Sequence, residues 1–183
     1  EMLLHLDSLR LQRWKEQGRR DRGAFQRRSI HETLADPGQR GVVILGEPGS
    51  GKTTLLHYLA LREARKAPTE PGSRLPIFVP LAAYDDFLRR DKASTVSLFE
   101  FLSIYCDQWR SLPGLRPLFL KALSAGQALI LLDGLDEVLD LTTRQFVAEQ
   151  AGALIQQWAG QGNRFALTSR IVGYREVRLP GNL

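Results

Sequence analysis

Four short apolar runs divide the chain, and each has the length and composition of a buried β-strand. They cover residues 42–45, 75–81, 128–133 and 164–169. Short runs that are apolar on both faces are typical of strands in a parallel sheet that is covered on both sides. The segments between them repeat their apolar residues every three or four positions, which predicts helices. This alternation predicts an α/β fold in which a parallel sheet is flanked by helices.

The helices are expected between the strands and before the first of them. In the segment 97–110 the large apolar side chains form one stripe, which we interpret as core or as a domain interface. Because the carboxyl ends of parallel strands lie along one edge of a sheet, the residues that follow each strand are the candidates for a site. The predicted helices are 2–16, 25–34, one that begins near residue 52, 83–91, 97–110, 115–125 and 142–158.

The loop after the first strand matches G-x-x-x-x-G-K-[ST], the phosphate-binding P-loop. Strand, glycine-rich loop and helix follow one another in the order that this motif requires. Loop N–H groups and the positive end of the helix dipole attract phosphate, while Lys52 is expected to contact the β- and γ-phosphates. The hydroxyl of Thr53 is expected to bind Mg²⁺. The predicted nucleotide-binding residues are Gly46, Glu47, Pro48, Gly49, Ser50, Gly51, Lys52, Thr53 and Thr54.

Carboxylates follow the third strand. The strand ends in Asp133, which we expect beside the P-loop, where it completes the Mg²⁺ site with Thr53, usually through water. Asp136 and Glu137 come three and four positions later. A carboxylate at that distance can orient and deprotonate an attacking water. Glu137 is the predicted base, and Asp136 is predicted to be a second metal-shell or orienting group.

Arg170 follows the fourth strand directly. By the same edge argument its guanidinium is expected to point toward the phosphates, where it can sense the γ-phosphate and stabilise transferred charge. The predicted catalytic residues are therefore Glu137, Asp136 and Arg170, and the predicted metal ligands are Thr53 and Asp133.

Composition and charge indicate the cellular location and the partners that fit this chemistry. The chain has 183 residues, and its single cysteine, Cys106, cannot form an internal disulfide, which favours a reducing, cytoplasmic location. No apolar run is long enough to predict a membrane span. Of the net charge of +5, residues 1–30 carry +4. We interpret residues 1–35 as a basic helical segment or linker and residues 36–183 as the P-loop core. A solvated helix face is favoured over a nucleic-acid contact.

Three segments together resemble a NACHT-type NTPase, a member of the signal-transduction ATPases with numerous domains (STAND). They are the P-loop 46–53, the Leu-Leu-Asp-Gly-Leu-Asp-Glu block at 131–137, and Thr-Ser-Arg-Ile-Val-Gly-Tyr-Arg at 168–175. The resemblance covers roughly residues 38–178. It implies a three-layer P-loop NTPase fold with an additional strand between the P-loop and the Walker B strand, and the spatial strand order 1-4-3-2.

The resemblance also implies a function. Such domains bind ATP or ADP with Mg²⁺ and hydrolyse ATP slowly, as switches in innate immune sensors and in bacterial defence and regulatory proteins. Their partners are sensor and effector domains of the same protein, and activation drives oligomerisation. In this family a helical lid adds further nucleotide contacts. We expect that lid, and its β-phosphate histidine, beyond residue 183, because none of His5, His31 and His57 is placed to replace it. We therefore expect the chain to be part of a longer protein, with weak nucleotide binding and very low ATPase activity by itself.

Other classes of protein fit the sequence less well. A GTPase would carry an Asn/Thr-Lys-x-Asp element and an ABC-type ATPase a Ser-Gly-Gly-Gln signature, and neither occurs. The 81 positions between Lys52 and Asp133 exceed what a small-molecule kinase usually has. Three alternatives remain: an AAA+-like ATPase, a nucleic-acid-associated ATPase that uses the basic segment, and a scaffold with a catalytically silent site.

Overall fold

A four-stranded, all-parallel sheet forms the centre of the chain in a computed structural model that describes residues 29–66, 69–90, 96–109 and 112–180. The spatial order is β1-β4-β3-β2, which confirms the predicted order. Register pairs Leu45 with Ser169 and Pro80 with Asp133, so the strands end along a common edge. The strands are β1 (Gly41–Leu45), β2 (Leu75–Pro80), β3 (Ala128–Asp133) and β4 (Arg164–Ser169).

Helices fill the connections between the strands, and short helical turns follow some of them. A π-helical turn, Tyr105–Trp109, continues from α4, and two 3₁₀ turns cover Leu135–Glu137 and Ala159–Gln161. The helices are α1 (Ile30–Ala35), α2 (Lys52–Ala64), α3 (Leu81–Arg90), α4 (Leu98–Ile104), α5 (Arg116–Ser124), α6 (Leu141–Trp158) and α7 (Ile171–Glu176).

The sheet separates two hydrophobic cores, because alternate residues of each strand face opposite sides. From β3, Leu129 and Leu131 pack with Leu56 and Leu59 of α2. The neighbouring strand residues 130 and 132 join the larger core on the other face, which includes α3 to α6. The result is the three-layer P-loop NTPase fold, with β2 inserted along the chain between the P-loop and the Walker B strand β3.

Several predicted boundaries shift by a few residues. Proline ends β2 at residue 80, and the fully buried Leu81 begins α3 instead of ending the strand. The helix predicted at 97–110 is α-helical only to Ile104 and continues as the π-helical turn. The stripe in this segment is core, since Leu98, Phe101, Leu102 and Tyr105 are all buried.

The first described helix starts at a strong cap. The Ser29 side chain accepts a hydrogen bond from the Glu32 backbone N–H, and the Glu32 carboxylate accepts one from the Ser29 N–H. This capping box explains a start at residue 30 within the predicted 25–34 helix. Leu34 packs on the α2-side core and its carbonyl accepts from Arg164 Nε at 2.9 Å. The predicted helix 2–16 lies outside the described residues, and the division between residues 35 and 36 stays a prediction.

Candidate functional site

A cleft of about 300 Å³ opens at the carboxyl ends of β1, β3 and β4. It lies where the loops after these three strands meet, which is the edge at which ligands bind in parallel α/β sheets. Its lining joins the glycine-rich loop, the start of α2, the turn after β3 and the end of β4. The lining residues are Pro48, Gly49, Gly51, Lys52, Thr53, Thr54, Asp133, Gly134, Asp136, Glu137, Thr168 and Arg170.

The loop after β1 depends on glycine at two kinds of position. Gly49 and Gly51 have φ angles of 73° and 84°, the left-handed region that L side chains rarely adopt. Gly46 is buried, and a Cβ there would lie 2.5 Å from Ser50 Oγ. The Gly46 N–H donates to the Ser169 carbonyl at 3.3 Å, which ties the loop to the end of β4.

Lys52 lies at the first position of α2 and folds back over the loop. Its Nζ donates to the carbonyl oxygens of Gly46 at 2.9 Å and Glu47 at 3.0 Å. These contacts hold the ammonium inside the bend of the loop, next to the cleft. A positive charge is therefore placed where backbone N–H groups at the start of α2 also favour an anion.

Asp133 is buried at the base of the cleft and is held by Thr168 of β4. The Thr168 hydroxyl donates to Asp133 Oδ1 at 2.5 Å and accepts from the Gly134 N–H at 2.8 Å. The strand register explains this contact. Leu132 pairs with Leu167, so the next residues on the two strands, Asp133 and Thr168, are neighbours. One hydroxyl thus fixes both the orientation of the carboxylate and the start of the turn after β3.

Glu137 lies at the exposed end of that turn. Gly134 has a φ of 75°, and a Cβ on it would lie 2.7 Å from Glu137 Cδ, so the carboxyl side chain folds over the glycine. Desolvation raises the pKa of Glu137, and repulsion from Asp133 and Asp136 raises it further. Arg170 and Lys52 oppose this rise in pKa. The environment therefore makes Glu137 a stronger base than an ordinary surface glutamate.

Asp136 faces Arg170. Its Oδ1 accepts from the Arg170 backbone N–H at 2.7 Å, and its Oδ2 pairs with Arg170 Nε at 2.9 Å. The Asp136 side chain is only 8% exposed, whereas that of Arg170 is 56% exposed. The buried carboxylate therefore holds the backbone N–H and the Nε of Arg170, while the end of the side chain reaches the cleft rim.

A buried arginine supports the same turn from below. Arg144 of α6 donates through Nε to the Val138 carbonyl at 2.7 Å and pairs through Nη1 with Glu176 of α7 at 2.9 Å. Its Nη2 reaches the Leu139 carbonyl at 3.5 Å. Arg144 thereby links the segment after Glu137 to α7, the helix for which Arg170 is the N-cap residue.

Comparison with known families decides what kind of site this is. The family model of the NACHT domain matches residues 40–181, most of the chain. The chain belongs to the NACHT domain family. The chain is accordingly a nucleotide-binding module of the P-loop NTPase class. Searches of curated proteins and of solved structures gave no significant match.

Most of the predicted site residues of this NACHT domain line the cleft together. Gly46, Glu47 and Ser50 belong to the same loop but do not line it; Gly46 lies beneath it and accepts from Lys52. Of the histidines among the described residues, His31 lies beside Tyr58 and His57 beside Phe78, and neither lines the cleft.

The donors in the cleft fit a magnesium ion. Thr53 and Asp133 line it together, and the Thr168 hydroxyl at Asp133 Oδ1 leaves Oδ2 for a metal-bound water. In the described part of the chain no three His, Cys, Asp or Glu side chains are grouped to hold a metal. Mg²⁺ is usually held by one or two protein oxygens, water and substrate phosphates, a set that Thr53 and Asp133 could begin.

Sequence reasoning missed Thr168 and Arg144 as supporting residues. Thr168 carried a signal, since it is a polar residue within an otherwise apolar buried strand. Arg144 carried little signal, because a single arginine in an amphipathic helix normally faces solvent.

Among the residues that the structure describes, the helices are too short or too polar to span a membrane.

Proposed function

We propose that this domain binds ATP or ADP with Mg²⁺, hydrolyses ATP slowly, and acts as a nucleotide-controlled switch in a larger multidomain signalling protein. The observation that carries the proposal is the convergence of Lys52, Asp133, Glu137 and Arg170 on one cleft. They come from three segments that are distant in sequence: the loop and helix start after β1, the end of β3 with its turn, and the end of β4. Their meeting supplies, in one place, the charges that phosphoryl transfer to water requires.

Phosphate binding falls to the loop and the start of α2. The open backbone at Gly49 and Gly51 lets phosphate oxygens approach the N–H groups closely. The Lys52 ammonium, already positioned by two loop carbonyls, adds a point charge for the β- and γ-phosphates. Thr53 follows on the same turn of helix.

Magnesium would be held by the Thr53 hydroxyl and, through water, by Asp133. Mg²⁺ bound there would neutralise negative charge that develops on the phosphate. Thr168 holds one carboxylate oxygen of Asp133, a residue that lines the cleft, and so fixes the orientation of this carboxylate.

Hydrolysis would use Glu137 to orient a water and take up its proton. The raised pKa of Glu137 suits that part, since a base works best when its pKa lies near the working pH. Arg170 at the rim would stabilise the charge of the transferred phosphoryl group.

Control by nucleotide requires that a change in the cleft alters another part of the protein. Two contacts connect the cleft to α7: Asp136 binds Arg170 at the start of this helix, and Arg144 binds Glu176 at the end of it. We infer that α7 follows the state of the cleft. The sensor and effector domains and the oligomerisation implied by family membership would read that state, with a role in innate immunity or defence and a cytoplasmic location.

Thermal unfolding with Mg²⁺ and ATP, ADP, GTP or no nucleotide tests the binding step. A ligand of the folded state stabilises it by about 2.7 kcal/mol at one hundred times Kd. We expect millimolar adenine nucleotides to raise the melting temperature, and Lys52→Ala to abolish the rise without lowering the nucleotide-free value. An equal rise in Lys52→Ala would contradict the assignment of the cleft.

Turnover tests the hydrolysis step. Glu137→Gln is expected to reduce ATP hydrolysis about 100-fold or more while nucleotide still raises the melting temperature. Glu149→Gln, on the exposed side of α6, is the matched control and should leave the rate unchanged. Wild-type protein that binds ATP without turnover above the Glu137→Gln background would instead be a scaffold with a silent site.

A further inference from the structure

Both carboxylate oxygens of Asp136 contact Arg170. Oδ1 accepts a hydrogen bond from the Arg170 backbone N–H at 2.7 Å, and Oδ2 forms an ion pair with Nε at 2.9 Å. A hydrogen bond to an ionised carboxylate is among the stronger contacts that a backbone N–H makes. This pairing of both oxygens with one residue favours a part in holding Arg170 over a part as a metal-shell ligand or a general base.

The surroundings of Asp136 allow it little movement. Gly173 of α7 packs against it so closely that a Cβ on the glycine would lie 2.6 Å from Asp136 Cβ. On the opposite side the turn is anchored by the fully buried residues Leu135 and Val138. The carboxylate is thus a fixed point between the turn after β3 and the first residues of α7.

The guanidinium keeps most of its binding capacity. The ion pair with Asp136 is made at Nε, and the four N–H donors on the Nη atoms are left for a second anion. The Arg170 side chain is more than half exposed at the cleft rim. An arginine held by its Nε edge can therefore offer its other edge to a terminal phosphate without leaving Asp136.

We propose that Asp136 is the positioning residue of Arg170, and that it favours a nucleoside triphosphate over a diphosphate only through that arginine. The inference rests on the proposed nucleotide-binding function and deepens it. It gives Asp136 a part in recognising the γ-phosphate and none as a base or metal ligand.

A double-mutant cycle on the whole chain distinguishes these parts. The affinities for a non-hydrolysable ATP analogue and for ADP are measured with Mg²⁺ in wild type, Asp136→Asn, Arg170→Ala and the double variant. We expect Asp136→Asn to lower the preference for the triphosphate about tenfold, because it weakens a charge-assisted pair. The double variant should match Arg170→Ala alone. Asp86→Asn, on the exposed face of α3, is the control and should change nothing.

Gly173→Ala approaches the same contact without altering any charge. Its added methyl group displaces Asp136, so it should lower the triphosphate preference in wild type and have no further effect beside Arg170→Ala. This variant answers the question if Asp136→Asn does not fold.

Each outcome has one meaning. An additive loss in the double variant, or an unchanged preference in Asp136→Asn and Gly173→Ala, would overturn the inference and return Asp136 to direct catalysis or metal binding. Absence of nucleotide binding by the wild type would instead overturn the proposed function on which the inference rests.

Discussion

At the scale of single residues, Thr168 gives the clearest prediction. Thr168→Val keeps the shape but removes the hydroxyl that joins Asp133 to the Gly134 N–H in a site with no solvent exposure. Leaving buried polar groups unpaired costs about 1–3 kcal/mol. For a chain of this length we expect a melting temperature lower by about 2–10 °C.

Thr168→Ser is the matched control for that loss. It keeps the hydroxyl and removes only a methyl group, so thermal unfolding should place it much closer to wild type than Thr168→Val. Equal losses in the two variants would show that packing of the side chain, and not the hydroxyl, matters here.

Glu137 predicts a pH dependence of stability. Its pKa in the folded protein is raised above the ordinary value of 4.5, so its ionised form weakens folding at neutral pH. Below pH 4.5 the carboxyl is protonated in both folded and unfolded chains, and the penalty is absent. Glu137→Gln should therefore melt at a higher temperature than wild type at pH 7.

The same comparison repeated at lower pH checks the sign. The gap between Glu137→Gln and wild type should close as the pH falls through the raised pKa toward 4. Glu149→Gln should show no such pH-dependent gap. A Glu137→Gln variant that melts below wild type at pH 7, with a deficit that shrinks on acidification, would mean that the ionised carboxylate stabilises the fold.

Residue types predicted the members of the site better than their partners. The P-loop motif, Asp133 and Arg170 follow from a strand that ends next to a charged or glycine-rich segment, which is local information. The Asp136–Arg170 pair and the Thr168–Asp133 bond join residues 34 and 35 positions apart, respectively. They depend on the register between β3 and β4 and on the packing of α7, which no local pattern specifies.

At the scale of elements, Arg144 supports a prediction about α7. Arg144→Met keeps much of the side-chain length but removes the donors to the Val138 and Leu139 carbonyls and the partner of Glu176. We expect a loss of about 1–3 kcal/mol, measured by denaturant unfolding. The segment after Glu137 should loosen together with α7.

Glu176→Gln separates the two halves of that contact. The Glu176 side chain is 53% exposed, and exposed ion pairs contribute about 1 kcal/mol or less. It should therefore cost clearly less than Arg144→Met. A loss as large as that of Arg144→Met would mean that the ion pair, and not the carbonyl contacts, holds α7.

Strands were predictable at this scale and helix ends were less so. The runs at 128–133 and 164–169 coincide with β3 and β4, because a strand that is buried on both faces is mostly apolar. The change from α-helix to π-helix at Tyr105 has no comparable signal, since the apolar stripe continues across it. The start of α1 follows from its capping box, a pattern that the sequence does contain.

At the scale of the whole molecule, net charge is distributed unequally between the N-terminal segment and the rest of the chain. Of the net charge of +5, residues 1–30 carry +4, so the nucleotide cleft belongs to a part of the chain that is nearly neutral overall. The P-loop and Lys52 attract phosphate by local geometry, whereas the basic segment attracts polyanions by charge alone. Truncation should therefore separate the two kinds of binding.

A chain that begins at Ser29 is the variant for this separation, compared with the full chain in fluorescence anisotropy assays. Its affinity for a labelled ATP analogue should be unchanged. Any affinity of the full chain for duplex DNA should fall about 100-fold between 50 and 200 mM salt if four phosphates are contacted, and should be absent after truncation. DNA binding that persists in the truncated chain with the same salt dependence would place the polyanion surface on the core. Strong, salt-dependent DNA binding that is lost on truncation would favour the nucleic-acid-associated ATPase that uses the basic segment over a signalling switch.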